Sequence, residues 1–335
     1  MSSRSPPLST DAPELARRLL ARDRDAVPRA LNLTDDRRPG RAAEALALLD
    51  ALEHEAPFPG PPRIGITGAP GAGKSTLLDA LLRLLRARDE TVAIVAVDPS
   101  SQRTGGALLG DRMRLRSGAA DPGVLIRSMA ARERLGGLAD ATRAGVAILA
   151  AGFDRVFVET VGVGQSEAEV AALVDSLVYV ANPGAGDMIQ FMKAGVLELP
   201  DVLVVNKADL GPEARRTAAD LAGGLGLSER PANAWSAPVL LTSARDGTGV
   251  ESLLDALDGH RQHLLESGEL RERRARGRGT YVLDALERRF GSHGLEQLGG
   301  TRAIRARVDA SPDQSAFALA AALGREIEDA LDKRR

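Results

Sequence analysis

Nine consecutive residues, Gly68-Ala69-Pro70-Gly71-Ala72-Gly73-Lys74-Ser75-Thr76, have the types and spacing of a phosphate cradle. They fit G-x-x-x-x-G-K-(S/T), in which glycines let backbone N–H groups turn inward around phosphate oxygens. A helix starting at the lysine points its positive end at the same oxygens. In that arrangement Lys74 reaches the β- and γ-phosphates, and Ser75 places its hydroxyl on Mg²⁺. The chemistry is capture of a nucleoside triphosphate. A second set, Asn206-Lys207-Ala208-Asp209, bears on the base. The Asp209 carboxylate can accept from guanine N1–H and its exocyclic amine, a donor pair that adenine does not offer. A buried Asp209 would therefore be left unpaired by adenine and reject it. Lys207 can lie along the base plane, Asn206 can tie this loop to the phosphate loop, and a backbone amide in Thr242-Ser243-Ala244 can meet the guanine oxygen. GTP is expected over ATP.

Three carboxylates belong to loops expected on the same face. Asp98 ends the run Val92–Val97, Asp111 closes Thr104-Gly105-Gly106 to Gly110-Asp111, and Glu159 precedes Thr160-Val161-Gly162-Val163-Gly164-Gln165-Ser166-Glu167. Mg²⁺ takes oxygen ligands and keeps several waters, so one or two of these would touch it directly. Glycines at 105, 106, 162, 164, 184 and 186 give these loops backbone freedom beside a nucleotide. Loops ordered by γ-phosphate and Mg²⁺ and released on hydrolysis are a recurring switch design. Asn182 to Lys193 is a third candidate of that kind.

These loops need a frame. Short apolar runs at 64–66, 92–97, 124–126, 156–158, 177–180, 202–205 and 239–241 read as strands, several of them apolar throughout, as in a parallel sheet covered by helices on both faces. Helix-length segments such as 74–88 and 213–225 alternate with them. This is an α/β, doubly wound domain with its ligand at the carboxyl ends of the strands. Leu15, Leu19, Leu46, Leu49 and Leu52 give helical periodicity before the proline-rich break at 57–62, and only helical spacing follows Val250. The expected organisation is an N-terminal helical segment at 1–60, a nucleotide-binding domain at 61–266 and a helical extension at 267–335.

Composition narrows the class. The 335 residues carry 44 Lys and Arg against 46 Asp and Glu, a net charge of -2, which argues against a dedicated nucleic-acid binder. No apolar run reaches about 18 residues, and the first sixteen lack the apolar stretch of a secretory signal, so a cytoplasmic protein with no membrane segment is expected. Without cysteine there are no disulfides, thiolate metal sites or cysteine nucleophiles. Only four of the basic residues are lysines, at 74, 193, 207 and 333. A retained lysine suggests a need for a slim point charge that a planar guanidinium would not meet.

Together these residues resemble the MeaB/ArgK-type family, GTPases associated with methylmalonyl-CoA mutase. The resemblance rests on the runs at 68–76, 97–101, 104–111, 159–167, 183–187 and 206–209, of which 97–101 and 159–167 are the more specific, and it covers roughly residues 60 to 250. The chain departs from the usual pattern at Arg112-Met113, at Arg127-Ser128-Met129 and at Phe191, and Glu159 stands where many other GTPases have Asp. The resemblance implies a P-loop G domain, GTP and GDP as ligands, and a C-terminal dimerisation arm making a homodimer. It also implies a chaperone role toward an adenosylcobalamin-dependent acyl-CoA mutase, gating cofactor loading and exchange. Ser75, Asp98, Asp111 and Glu159 carry over as the Mg²⁺-side set, and Asp187 and Lys193 as members of a partner-responsive third switch.

For hydrolysis, Lys74, the loop amides and Mg²⁺ would stabilise charge on the phosphates, with Glu159 beside them and Gln165 a candidate for orienting water. Turnover is expected to be slow alone and stimulated by a partner. Two other readings stay open. A GTP-dependent metallochaperone would need soft or imidazole ligands, and only His260 and His263 stand close together; a surface helix pair is the plainer reading. A kinase of a transport protein would need a base beside a protein hydroxyl. Arg271 to Arg278 reads as a solvated hinge, and Trp235 as packing.

Overall fold

The computed structural model describes residues 12–36, 38, 40–98, 121–130, 138–160, 166–184, 199–225, 234–312 and 314–333. Each of the seven apolar runs becomes a strand: β1 (Arg63–Gly68), β2 (Val92–Asp98), β3 (Val124–Ala130), β4 (Arg155–Thr160), β5 (Ser176–Ala181), β6 (Val202–Val205) and β7 (Val239–Leu241). Several extend past their apolar run into polar residues such as Arg63, Glu159, Thr160 and Ser176, because ladder hydrogen bonds use the backbone and not the side chain. They form one sheet in the order β3-β2-β4-β1-β5-β6-β7, every neighbouring pair parallel.

Alternation along the strands builds two cores. Val178, Val180, Val202 and Val204 face helices α4 (Lys74–Ala87) and α8 (Val250–Glu266), meeting Leu77, Leu81, Leu253 and Leu257. Their neighbours Tyr179, Ala181, Leu203 and Val205 face the other way, onto Ala214 and Leu221 of α7 (Pro212–Leu225). A fully buried Leu or Val contributes about 1.5–3 kcal/mol, so both faces must be covered. The remaining helices are α1 (Ala12–Leu20), α2 (Ala26–Asp35), α3 (Arg41–Glu55), α5 (Leu138–Gly152), α6 (Ser166–Ala171), α9 (Glu269–Gln297), α10 (Gly300–Asp309) and α11 (Ala316–Asp332). By contact the chain divides into two compact units: Pro61–Thr142 with Phe153–Tyr281, which holds the sheet, and Met1–Gly60 with Arg143–Gly152 and Val282–Arg335. In the helical unit Ser315 caps α11 by accepting from the Ala318 amide at 3.0 Å, and Glu53 of α3 accepts from the Ala316 amide at 2.7 Å.

At the amino ends of β5 and β6 lies a buried ionic network. Asp175 accepts from the Arg63 amide at 3.0 Å and from Arg274 at 2.8 and 2.7 Å. Asp201 accepts from the Leu177 amide at 2.8 Å and from both terminal nitrogens of Arg273 at 2.7 and 3.0 Å. Burial would raise the Asp175 carboxyl, but the Arg274 bonds outweigh it and hold the group below the usual carboxylate range. The expectation of a solvated hinge at 271–278 is therefore corrected: Arg273 and Arg274 turn inward, because two aspartates preceding strands need counter-charges once the sheet is covered. The surface-pair reading of His260 and His263 is corrected too. His260 is fully buried, its Nδ1 is 2.7 Å from Ser176 Oγ, and burial pushes its pKa down to about 4. Trp235 packs against both histidine rings, and its indole N–H donates to the Asp201 carbonyl at 2.7 Å.

Candidate nucleotide site

β1 lies at the centre of the sheet, and its carboxyl end opens into the glycine loop and then α4. Two glycines are needed there by shape. Gly68 has φ +139, and a Cβ on it would stand 2.1 Å from the Val180 carbonyl oxygen of β5. Gly73 has φ +87, and a Cβ on it would stand 2.5 Å from Asn206 Nδ2. Any side chain would push β5 or the base loop away from the cradle. Lys74 is buried, and its ammonium donates to the Gly68 and Ala69 carbonyls at 2.7 and 3.0 Å. The charge thus lies over the loop at 68–73, which begins at the end of β1.

Ser75 and Glu159, 84 residues apart in sequence, meet directly: the Ser75 hydroxyl donates to Glu159 Oε1 at 2.6 Å. Parallel pairing of β1 with β4 brings this about, since Ile66 lies opposite Glu159. Behind them the Thr160 hydroxyl donates to the Thr67 hydroxyl at 3.1 Å, joining the two strand ends. Two hard oxygen donors at the mouth of a phosphate loop fit Mg²⁺, which completes its shell with phosphate and water. The backbone of Asp98 ends β2, one residue beyond the Val97–Thr160 pair, so it lies at the same edge. Its side chain, together with Asp111, Gln165, Asp187 and Lys193, lies outside the described residues.

The base loop follows β6. Asn206 is buried and acts as a rivet: Nδ2 donates to the Ala72 and Gly73 carbonyls at 3.0 and 3.4 Å, while Oδ1 accepts from the Ala244 amide and the Thr242 hydroxyl at 3.1 and 3.3 Å. The tie to the phosphate loop read from the sequence is present, and it extends to the loop after β7. Lys207 has φ +62, and its ammonium donates to Asn182 Oδ1 at 2.8 Å. Asp209 is exposed, with Oδ1 accepting from the Ser243 hydroxyl at 3.1 Å. The expectation of a buried Asp209 is therefore corrected: the residue lies in a short turn at the surface after β6, where water can reach its carboxylate. The Thr242 amide donates to the Val205 carbonyl, the Ser243 amide to the Thr248 carbonyl and the Ala244 amide to Asn206, so all three amides considered for the guanine oxygen bond within the protein here. Asn182, at the exit of β5, was not among the residues read as binding nucleotide. Its signal is the sheet order, which sets β5 beside β6.

This arrangement, a lysine-bearing phosphate loop riveted to an Asn-Lys-x-Asp loop, agrees with the family comparison. Residues 27–293 match the family described as Methylmalonyl Co-A mutase-associated GTPase MeaB. The chain belongs to the MeaB family. It is a GTPase, hydrolysing GTP to GDP and phosphate. It is 45% identical over 255 residues to a "Probable GTPase" of Mycobacterium tuberculosis, covering 75% of each chain. It is 37% identical over 215 residues to the methylmalonic aciduria type A homolog, mitochondrial, of Mus musculus, covering 63% of this chain and 52% of that one. A solved structure described as LAO/AO transport system kinase superposes with a TM-score of 0.69 at 28% identity, covering 98% of this chain and all of the other. Among the described residues no helix is long and apolar enough to cross a membrane.

Proposed function

We propose that this MeaB-family GTPase is a chaperone of an adenosylcobalamin-dependent acyl-CoA mutase such as methylmalonyl-CoA mutase, using GTP and Mg²⁺ to gate loading or exchange of the cobalamin. One observation carries the reading: Ser75 of the phosphate loop bonds Glu159, the penultimate residue of β4. Residues 161–165, part of the run that most specifically resembles the family, follow that strand directly. A change at the cation is thereby one residue pair away from a segment that another protein could sense. Mg²⁺, when bound, supplies positive charge that offsets the charge developing on the transferred phosphoryl group. The chain's own part is positional: Lys74 holds its charge over the loop, Ser75 and Glu159 offer oxygens, and Asn206 keeps the phosphate and base loops in register. The family name and the mouse relative's name support the partner assignment.

In this reading turnover is slow until the mutase engages. Asp98 and Asp111 complete the Mg²⁺ set, Gln165 orients water, Asp187 and Lys193 answer the partner, residues 267–335 serve homodimerisation, and the protein works in the cytoplasm. The test is calorimetry of the full chain with an adenosylcobalamin-dependent acyl-CoA mutase, loaded with GDP or with a non-hydrolysable GTP analogue. The two loaded states should differ in mutase affinity by about fivefold or more, and the mutase should raise phosphate release. Equal affinity in both states, or γ-phosphate transferred onto protein in place of release, would overturn the proposal.

A further inference from the structure

We infer that Asn182 is a positioning residue for guanine-nucleotide binding, acting through Lys207. A lysine ammonium on a four-carbon stem has about 2 kcal/mol of rotamer entropy to lose when it is fixed against a ligand. Here the ammonium is already held, at 2.8 Å from the carboxamide oxygen of Asn182. The backbone prepares the same geometry. Lys207 adopts φ +62, a region that non-glycine residues seldom enter, so its stem leaves the loop in a fixed direction. The Asn206 amide donates to the Ala181 carbonyl at 3.2 Å, joining the exits of β5 and β6 at the residues immediately before the pair. On the far side of Asn182, Pro183 is buried, and the Gly184 amide donates to the Thr217 hydroxyl of α7 at 3.3 Å. Asn182 is therefore held from both sides and can hold Lys207 in turn.

The acceptor is a neutral carboxamide, so this contact fixes the Lys207 ammonium without placing a counter-charge against it. Asp209 is steadied in a parallel way by the Ser243 hydroxyl from the end of β7. Each ionised side chain of the base loop thus has a holder outside the Asn-Lys-Ala-Asp run, one from either neighbouring strand. A stem preset in this way removes ordering cost at the moment of binding, which appears as affinity. Because the base is common to both nucleotides, the gain is equal for GDP and GTP.

The inference rests on the reading of residues 206–209 as the guanine loop, and the experiment separates the two. Affinities of the full chain for N-methylanthraniloyl GDP and for the corresponding non-hydrolysable triphosphate are measured by fluorescence, with the thermal midpoint of the nucleotide-free protein as the folding control. Asn182→Ala should raise both dissociation constants about tenfold, the order expected for losing a charge-assisted hydrogen bond. Asn182→Asp keeps an acceptor oxygen and should restore affinity to within about threefold. In a Lys207→Ala background, Asn182→Ala should add nothing, a coupling that a merely structural role would not produce. A single-variant effect below twofold, or losses that multiply in the double variant, would overturn the role of Asn182 while leaving the guanine loop in place. A Lys207→Ala variant with unchanged affinity would overturn the guanine-loop reading and this inference together.

Discussion

The two ends of the same sheet are built on opposite plans. At the amino ends of β5 and β6, Asp175 and Asp201 are spent entirely within the protein, paired with Arg274 and Arg273 and bonded to strand amides. At the carboxyl ends, among the described residues, Lys207 donates to a carboxamide and Asp209 accepts from a serine hydroxyl, while Lys74 donates to two carbonyls and Glu159 accepts from a second serine hydroxyl. A charge held by a neutral group keeps its field for a ligand, whereas a charge paired with its opposite does not. Polar residues at the first end maintain the fold, and those at the second are the ones proposed above for binding. Burial alone would not separate them, since Lys74 and Asp175 are both buried.

Three experiments can break or sharpen that contrast. The largest effect is expected from Lys74→Ala, which should slow phosphate release about 100- to 1000-fold, the range seen on removing a preorganised charge-stabilising group, with little change in the urea unfolding midpoint. A midpoint shift as large as that of an amino-end variant would break the division. Next, Asp175→Ala leaves Arg274 without its carboxylate and should cost about 3–5 kcal/mol in urea unfolding of the full chain, with nucleotide affinity of the folded protein unchanged. An equal loss of affinity would show that the two ends are coupled.

The smallest effect concerns pH. His260 is faced by Asp201, Arg273, His263 and Glu269, and burial, the largest influence, depresses its pKa from 6.5 to about 4. The unfolded chain then binds the extra proton first as pH falls, so this stabilisation is complete above about pH 6.5 and is lost progressively toward pH 4. The loss amounts to roughly 3 kcal/mol at most. His260→Gln should flatten the dependence of the unfolding free energy on pH across that window, and an unchanged slope would assign the effect to other groups.

The phosphate loop and the base loop were legible because their chemistry is local: glycines, a lysine and a hydroxyl within nine residues, or four residues at a strand exit. The seven strands were legible for a related reason, since a strand buried on both faces has to be apolar along its length. His260, Arg273 and Arg274 differ from their sequence reading because a helical polar residue has the same local signature whether it faces water or a buried aspartate. Asn182 opens a candidate switch segment, but nothing local to it points to Lys207.

Sequence alone determined the parallel α/β architecture and the nucleotide class, since backbone conformation and hydrogen-bonding type are properties of short segments. Only tertiary structure decided which distant residues became partners: Ser75 with Glu159, Asn182 with Lys207, Asp201 with Arg273. Those pairings depend on which strands lie side by side and in what register. Sheet order is fixed by the packing of the whole domain and not by any one segment.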